Sequence, residues 1–277
     1  MQFTKYTGLG NDFVLLDGAA ATDLRNPSAL AKTICNRRFG VGADGLVLLS
    51  PSDKADIKMR IFNSDGSEAE MCGNASRCVA LHLFRRKMVN KKQISLDTLA
   101  GIIRTDITDE ARGLVRVDMG VPHLTKGEIP MTGNPAKTAV NFPLTTAGQT
   151  FYATAVSMGN PHLVIFVPDI SRVPLAAWGP QLETHPLFPC KTNVEFVQVL
   201  DDKTVRMRVW ERGAGITLAC GTGSCATAVA CILNHKTEKN ITVKLDGGDL
   251  FIEWPDKKNI FMTGLAQAVF TGDYWGD

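Results

Sequence analysis

Residues 70–80 read EMCGNASRCVA, and residues 218–228 read LACGTGSCATA. Each stretch sets a cysteine, a glycine and a small polar residue at the head of an apolar run rich in small residues. Cys72 and Cys220 are 148 positions apart. If the chain holds a duplicated unit, other features should recur near that offset, and three do. GNDFV puts Asn11 61 residues before Cys72, and GNPHLV puts Asn160 60 residues before Cys220. MRIFNSDGSE puts Asn63 nine residues before Cys72, and MRVWERGAG puts Glu211 nine before Cys220. Gly45 and Asn193 open comparable strand-like runs, each 27 residues before its cysteine. Agreement at four places predicts two pseudo-symmetric halves.

Outside these points, period-2 patterns dominate: DFVLLD, GLVLLS, IKMRIFN, LVRVDMG, HLVIFVP, VRMRVW, ITVKL and LFIEW all read as strands separated by turn residues. Two long helices stand out, starting just after Cys72 and Cys220. The second is so rich in Ala, Cys, Thr and Gly that strands can approach it from several sides, which suits a central helix wrapped by a curved sheet. The expected class is α+β. Residues 123–148, HLTKGEIPMTGNPAKTAVNFPLTTAG, scatter Pro and Gly between the halves and read as a linker.

Composition is ordinary for a globular protein, with 44% hydrophobic and 21% charged residues. The formal charge of +2 is close to balance, and the basic run Arg85, Arg86, Lys87 falls on or after a helix, so it reads as a solvated face rather than a nucleic-acid footprint. MQFTKYTGLGNDF lacks a basic-then-apolar leader, and no apolar run reaches membrane-spanning length. A cytoplasmic protein is expected. Its seven cysteines, an odd number without the spacing of a secreted disulfide scaffold, are expected to be free thiols.

A cysteine at a helix N-terminus meets unpaired backbone N–H groups and the positive end of the dipole, which favour the thiolate and give a nearby carboxylate a seat. A site built from both halves would bring two such cysteines to one small anionic substrate. That pair suits inversion of a stereocentre: one thiolate removes a proton from one face while the opposite thiol delivers a proton to the other. Two thiols sharing one negative charge titrate together.

Cys78, Cys225, Cys231, Cys35 and Cys190 are read instead as small apolar filler. A zinc site from Cys72, Cys78, Cys220 and Cys225 is disfavoured, because the usual two-residue knuckle is missing. GVGADG at residues 40–45 has the Gly-x-Gly-x-x-Gly form, but RRF precedes it and a strand pattern follows, the wrong context for a dinucleotide site. GTGSCAT lacks the Lys-Ser/Thr ending of a nucleotide P-loop. Any single Asn in a Gly-rich turn is explained by the turn. Four at repeat-matched places, Asn11, Asn63, Asn160 and Asn193, suggest hydrogen bonds to a ligand. Arg212 is suited to a carboxylate, and His162 and Glu211 to tuning the thiols.

GLGNDFV, FNSDGSEAEMCGNASRC, SMGNPH and ERGAGITLACGTGSCA closely resemble the motifs of the diaminopimelate epimerase family, and the likeness runs to the terminal MTGLAQAVFTG. The resemblance implies an isomerase that interconverts LL- and meso-2,6-diaminopimelate on the route to lysine and peptidoglycan, without pyridoxal phosphate, other cofactor or metal. It implies two domains, 1–119 with 266–277 and 120–265, each a mixed β-sheet rolled into a barrel around a central helix, the last strand returning to the first domain. Cys72 and Cys220 become the acid/base pair. Asn11, Asn63, Asn160, Asn193, Glu211 and Arg212 become substrate contacts. Gly73, Asn74, Gly221 and Thr222 hold the reacting carboxylate, while His162 and Glu211 adjust the thiols. Phe270 falls where an aromatic joins a homodimer contact. No nucleic-acid or membrane partner is implied.

Three positions depart from the family pattern: Gly45 follows Asp44 where some members have Gln, Ala75 replaces the usual Gly and is expected beside the substrate pocket, and Ile216 replaces a frequent Glu. Two alternatives stay open: a cofactor-independent racemase of histidine, glutamate or proline type on the same fold, and a non-catalytic amino-acid-binding protein.

Overall fold

The structure, a computed structural model, describes residues 1–146 and 148–276. Ala147, within the stretch read as a linker, and Asp277, at the end of the expected first domain, lie outside the described residues. The protein is α+β, mostly strand, and divides into two compact units, Met1–Asp118 with Thr263–Asp277, and Met119–Met262.

The first unit begins with β1 (Gln2–Gly8) and β2 (Asn11–Leu16), followed by the short α1 (Ala19–Thr22) and α2 (Pro27–Ile34). Then come β3 (Gly45–Ser50), β4 (Ile57–Asn63), β5 (Glu68–Ala69) and the helix α3 (Gly73–Arg85). β6 (Gln93–Thr98), β7 (Gly101–Asp109) and β8 (Leu114–Asp118) complete it. The sheet is mixed: β2–β3 and β4–β6 are parallel, while β1–β2, β3–β4, β6–β7 and β7–β8 are antiparallel. The C-terminal strand Gln267–Asp273 returns to pair antiparallel with β1.

Every residue of α3 from Gly73 to Leu83 is buried. A helix buried all round has to be enclosed, and the sheet encloses it: Tyr6, Phe13, Val47, Ile61, Leu96 and Val115 pack with its Ala75, Val79 and Leu83 in one core. Burying Val79, Leu81 and Leu83 is worth about 1.5–3 kcal/mol each, more than the roughly 1 kcal/mol that Gly73 costs as a helix former. The opposite face of the sheet buries Val14, Leu46, Leu48 and Phe62 against Ala31 and Ile34 of α2. With cover on both faces, β3 reads as the continuous apolar run GLVLLS rather than an alternating one.

The second unit runs through β9 (Phe142–Thr146), β10 (Gln149–Ser157), β11 (Pro161–Phe166), α4 (Leu175–Glu183), β12 (Asn193–Val199), β13 (Thr204–Glu211) and β14 (Gly215–Thr217). The helix α5 (Gly221–Leu233), β15 (Asn240–Leu245) and β16 (Gly248–Glu253) follow, and β17 (Phe261–Leu265) and β18 (Gln267–Asp273) end the chain. The pairing of the first unit recurs: β11–β12 and β13–β15 are parallel, β10–β11, β12–β13 and β15–β16 antiparallel. The register recurs too. Phe13 faces Gly45 as His162 faces Asn193, and Ile61 faces Ala69 as Val209 faces Thr217. α3 and α5 are both 13 residues long, and α5 is buried at ten of them.

The two long helices stand as read, two shorter ones join them, and the linker reading needs correction. α2 and α4 were not expected from the sequence, although Asn26 accepts the Ala29 N–H at 3.1 Å as N-cap and Pro27 occupies the first turn. They exist because the outer face of each sheet needs cover: Leu175 and Leu182 of α4 are buried with Phe151, Phe196 and Leu163. Residues 123–148 are not a loose linker. Ile129, Met131, Ala139 and Leu144 belong to that same core, and β9 pairs with β10.

Candidate active site

Cys72 and Cys220 are the N-caps of α3 and α5, both in extended backbone. At each helix start a serine four residues on doubles back to the cysteine carbonyl. Ser76 does so through its N–H at 2.9 Å and its hydroxyl at 3.0 Å, and Ser224 at 3.0 and 2.8 Å. This leaves the early N–H groups of the helix for other acceptors. The sulfurs then differ. Cys220 Sγ accepts the Gly223 N–H at 3.3 Å and lies 3.6 Å from the Thr222 hydroxyl. Cys72 Sγ lies 3.7 Å from Asn11 Oδ1, to which its thiol donates.

In the first unit, Asn11 is held from behind. Its Nδ2 donates to Asp44 Oδ2 at 2.8 Å, and Asp44 is braced by Arg37 at 2.9 Å and by the Asp12 N–H at 3.1 Å. Arg37 also grips Asp12 at 2.7 and 3.2 Å, and Lys5 reaches Asp12 at 2.7 Å. Burial works to raise the Asp12 carboxyl, but hydrogen bonds from Arg37 and Lys5 prevail and hold it below the usual carboxylate range. Asn11 Oδ1 therefore faces Cys72 and the side-chain amide of Asn74, 3.1 Å away. Asn74 is buried next to Gly73 at the helix head, and its Oδ1 has no partner among the described residues. Asn63, the exposed last residue of β4, leads into a turn closed by Gly66 at φ 85° and donates to Ser67 Oγ at 2.9 Å.

In the second unit, Glu211 accepts a hydrogen bond from Thr217 across the β13–β14 hairpin. Burial raises its carboxyl above the ordinary glutamate value, with Thr217 and Cys220 hydrogen bonds opposing. Burial likewise pushes the Cys220 thiol well above its usual value, the charges of Glu211 and Glu195 adding to it, and Thr222 and the Gly223 N–H recover only part. The expected drift towards thiolate is thus reversed at Cys220, because desolvation outweighs the helix terminus. His162 is fully buried between Glu195, 2.7 Å from Nδ1, and Asn160, 3.0 Å from Nε2. Asn160 continues to the Thr222 hydroxyl at 3.5 Å. Asn193 is buried and used by the backbone: it donates to Pro161 O and accepts the Arg212 N–H, both at 2.9 Å. The exposed Arg212 guanidinium donates to Cys190 O at 2.9 Å.

Glu195 was missed in the sequence, where NVEFVQV reads simply as a strand; the available signal was one acid between Val194 and Phe196. Of the cysteines read as filler, Cys35, Cys78, Cys225 and Cys231 are buried, but Cys190 is exposed and fills nothing. Ala75 is fully buried in the core with Phe13 and Val79, and Ile216 is half-exposed on β14. At Gly45 a Cβ would meet the Phe62 carbonyl at 3.0 Å, so a side chain there would have to displace the paired strand by a few tenths of an ångström. Phe270, half-exposed on β18, packs edge-on against Phe3 with ring centroids 5.7 Å apart.

A family model described as diaminopimelate epimerase matches residues 3–125 and 154–269. The chain is 56% identical over 279 residues to a diaminopimelate epimerase of Pelotomaculum thermopropionicum, with 99% of each covered. It is 54% identical over 277 residues to one of Carboxydothermus hydrogenoformans, covering 99% and 100%. Among solved structures it resembles a PhzF-family phenazine biosynthesis protein of Bacillus anthracis, with TM-score 0.71, 16% identity and 98% of both chains covered. A probable proline racemase of Agrobacterium radiobacter also resembles it, with TM-score 0.69, 16% identity, and 98% and 92% covered. These last two likenesses concern the fold alone.

Proposed function

This chain belongs to the diaminopimelate epimerase family, and on that footing we propose that it interconverts LL- and meso-2,6-diaminopimelate, one cysteine removing the α-proton while the other delivers its own proton to the opposite face. The observation that carries this is the matched pair of cysteine N-caps, Cys72 and Cys220, each heading a buried helix. The substrate carboxylate is held at N–H groups of Gly73, Asn74, Gly221 and Thr222, where the dipole stabilises the negative charge that develops when the α C–H bond breaks. One sulfur, as thiolate, takes that proton. The other, as thiol, gives its own proton to the opposite face, and the charge has moved from one sulfur to the other.

Burial raises the Cys220 thiol, which suits it to the donor's part, with Cys72 as the base on the opposite face. In the reverse direction Cys220 has to ionise, and Glu211, itself raised, accepts the thiol proton. Asn11, Asn63, Asn160, Asn193 and Arg212 orient the substrate, and His162 tunes the thiols. Because both proton carriers are side chains, no pyridoxal phosphate or other cofactor takes part. The protein works in the cytoplasm, a reading supported by its free cysteines; no helix among the described residues is long and apolar enough to cross a membrane. It pairs as a homodimer through β18, where Val269 and Phe270 leave half their surface open.

The test is incubation with LL-diaminopimelate in deuterium oxide, following α-deuterium and the meso product by NMR. Conversion by protein dialysed against EDTA and lacking a visible chromophore supports the reading. Faster turnover of histidine, glutamate or proline would replace it by a racemase, and binding without exchange by a non-catalytic receptor.

A further inference from the structure

Within the otherwise matched halves, one position is not matched in kind. By pairing and by sequence offset, Phe13, Val47 and Ala75 of the first unit correspond to His162, Glu195 and Gly223 of the second. The first three are apolar and share one core. The fold therefore does not need a hydrogen-bonded polar pair on these two strands. In the second unit it has one, with no exposed surface on either side chain. A buried polar or ionic pair is commonly no more stabilising than apolar residues of similar volume, so stability does not account for it.

Geometry says what the pair does. Glu195 Oε1 meets His162 Nδ1 at 2.7 Å, while Oε2 is buried with no partner among the described residues. His162 Nε2 meets Asn160 Oδ1 at 3.0 Å, Asn160 Nδ2 lies 3.5 Å from the Thr222 hydroxyl, and that hydroxyl is 3.6 Å from Cys220 Sγ. A chain of contacts thus runs from Glu195 to the thiol. Glu195 also lies against the first turn of α5, where the dipole favours a negative group. A Cβ on Gly223 would come within 2.7 Å of Oε1 and 3.2 Å of Cys220 Sγ, so glycine leaves room for both.

We propose that Glu195 is a positioning residue: it accepts the proton on His162 Nδ1, which fixes the orientation of the ring and holds Nε2 against Asn160 Oδ1 at the Cys220 end of the site. This rests on the epimerase reading for its effect on rate, but not for its effect on the ring. Orientation of an imidazole by a carboxylate on its far nitrogen is a general device.

The experiment compares the parent with Glu195→Gln, which keeps the shape and removes the acid. ¹⁵N-histidine-labelled protein is observed by long-range ¹H–¹⁵N NMR, with His162 identified by its loss in His162→Asn. The parent should show Nδ1 protonated, and Glu195→Gln should remove that proton from Nδ1 wholly or in part. kcat for LL-diaminopimelate should fall about 10- to 100-fold with KM little changed. The double variant Glu195→Val with His162→Phe, which copies the first unit, should fold and melt no lower than the parent while losing turnover. An unchanged His162 spectrum, kcat within about twofold of the parent, or a double variant that fails to fold each overturns the proposal. A parent that turns over no diaminopimelate counts against the epimerase reading instead, and the NMR comparison still decides the role of Glu195.

Discussion

Asp44 Oδ2 accepts the side-chain amide of Asn11 at 2.8 Å, and that contact turns Asn11 Oδ1 towards Cys72 and Asn74. An asparagine amide can face either way with similar packing, so the acid behind it chooses. Asp44→Ala is expected to lower kcat/KM about 10- to 100-fold by releasing Asn11. Arg37→Ala, which removes the braces on Asp44 and Asp12 but leaves the Asp44–Asn11 bond itself, should cost less. Steady-state kinetics of both variants check this, and values within twofold of the parent would remove Asp44 from the site.

Cys72→Ala and Cys220→Ala should each abolish interconversion in both directions while leaving the circular dichroism spectrum unchanged, because each face of the stereocentre needs its own carrier. Cys78→Ala should keep most turnover. That thiol is fully buried, which pushes its pKa up to about 12, and removing it costs roughly 1 kcal/mol of packing. Retention of more than a trace of LL-to-meso conversion by either of the first two variants would sink the two-cysteine assignment.

Glu211→Gln should separate stability from activity. The folded protein raises this carboxyl, so its contribution to stability is present below the ordinary glutamate value and is lost as pH rises through the raised one. Above the ordinary glutamate value the acid is a cost to the folded protein, and the amide removes it. The variant should melt at or above the parent at neutral pH, converge with it in acid, and lose about 100-fold or more in kcat. A lower melting temperature at neutral pH would contradict the sign.

Gly223→Ala and Ala75→Gly, at matched positions, should fail in different ways. In the first the new methyl meets Glu195 and Cys220, and a forced fit costs about 1–3 kcal/mol together with most of the turnover. In the second a fully buried methyl and roughly 1 kcal/mol of helix preference are lost, and turnover should stay within a few-fold. Thermal melts alongside kinetics distinguish the two, and a fully active Gly223→Ala would show that Glu195 and Cys220 tolerate displacement.

What the sequence determined by itself was whatever is written in local order. The cysteine-headed helices, the strand alternation and the 148-residue offset are patterns over a few neighbours, repeated, and the register and helix lengths follow them closely. The matches of family motifs added the chemistry. Tertiary structure decided what depends on partners distant in the chain. Glu195 and His162 are 33 residues apart, as are Asp44 and Asn11, and no spacing rule joins them. The same is true of α2 and α4, which are short and weakly marked but form because an apolar sheet face needs cover, and of residues 129–144, whose Pro and Gly hide the side chains that complete a core. It is true above all of Cys220, where the helix terminus that the sequence displays favours thiolate, and the burial that only packing supplies overrules it.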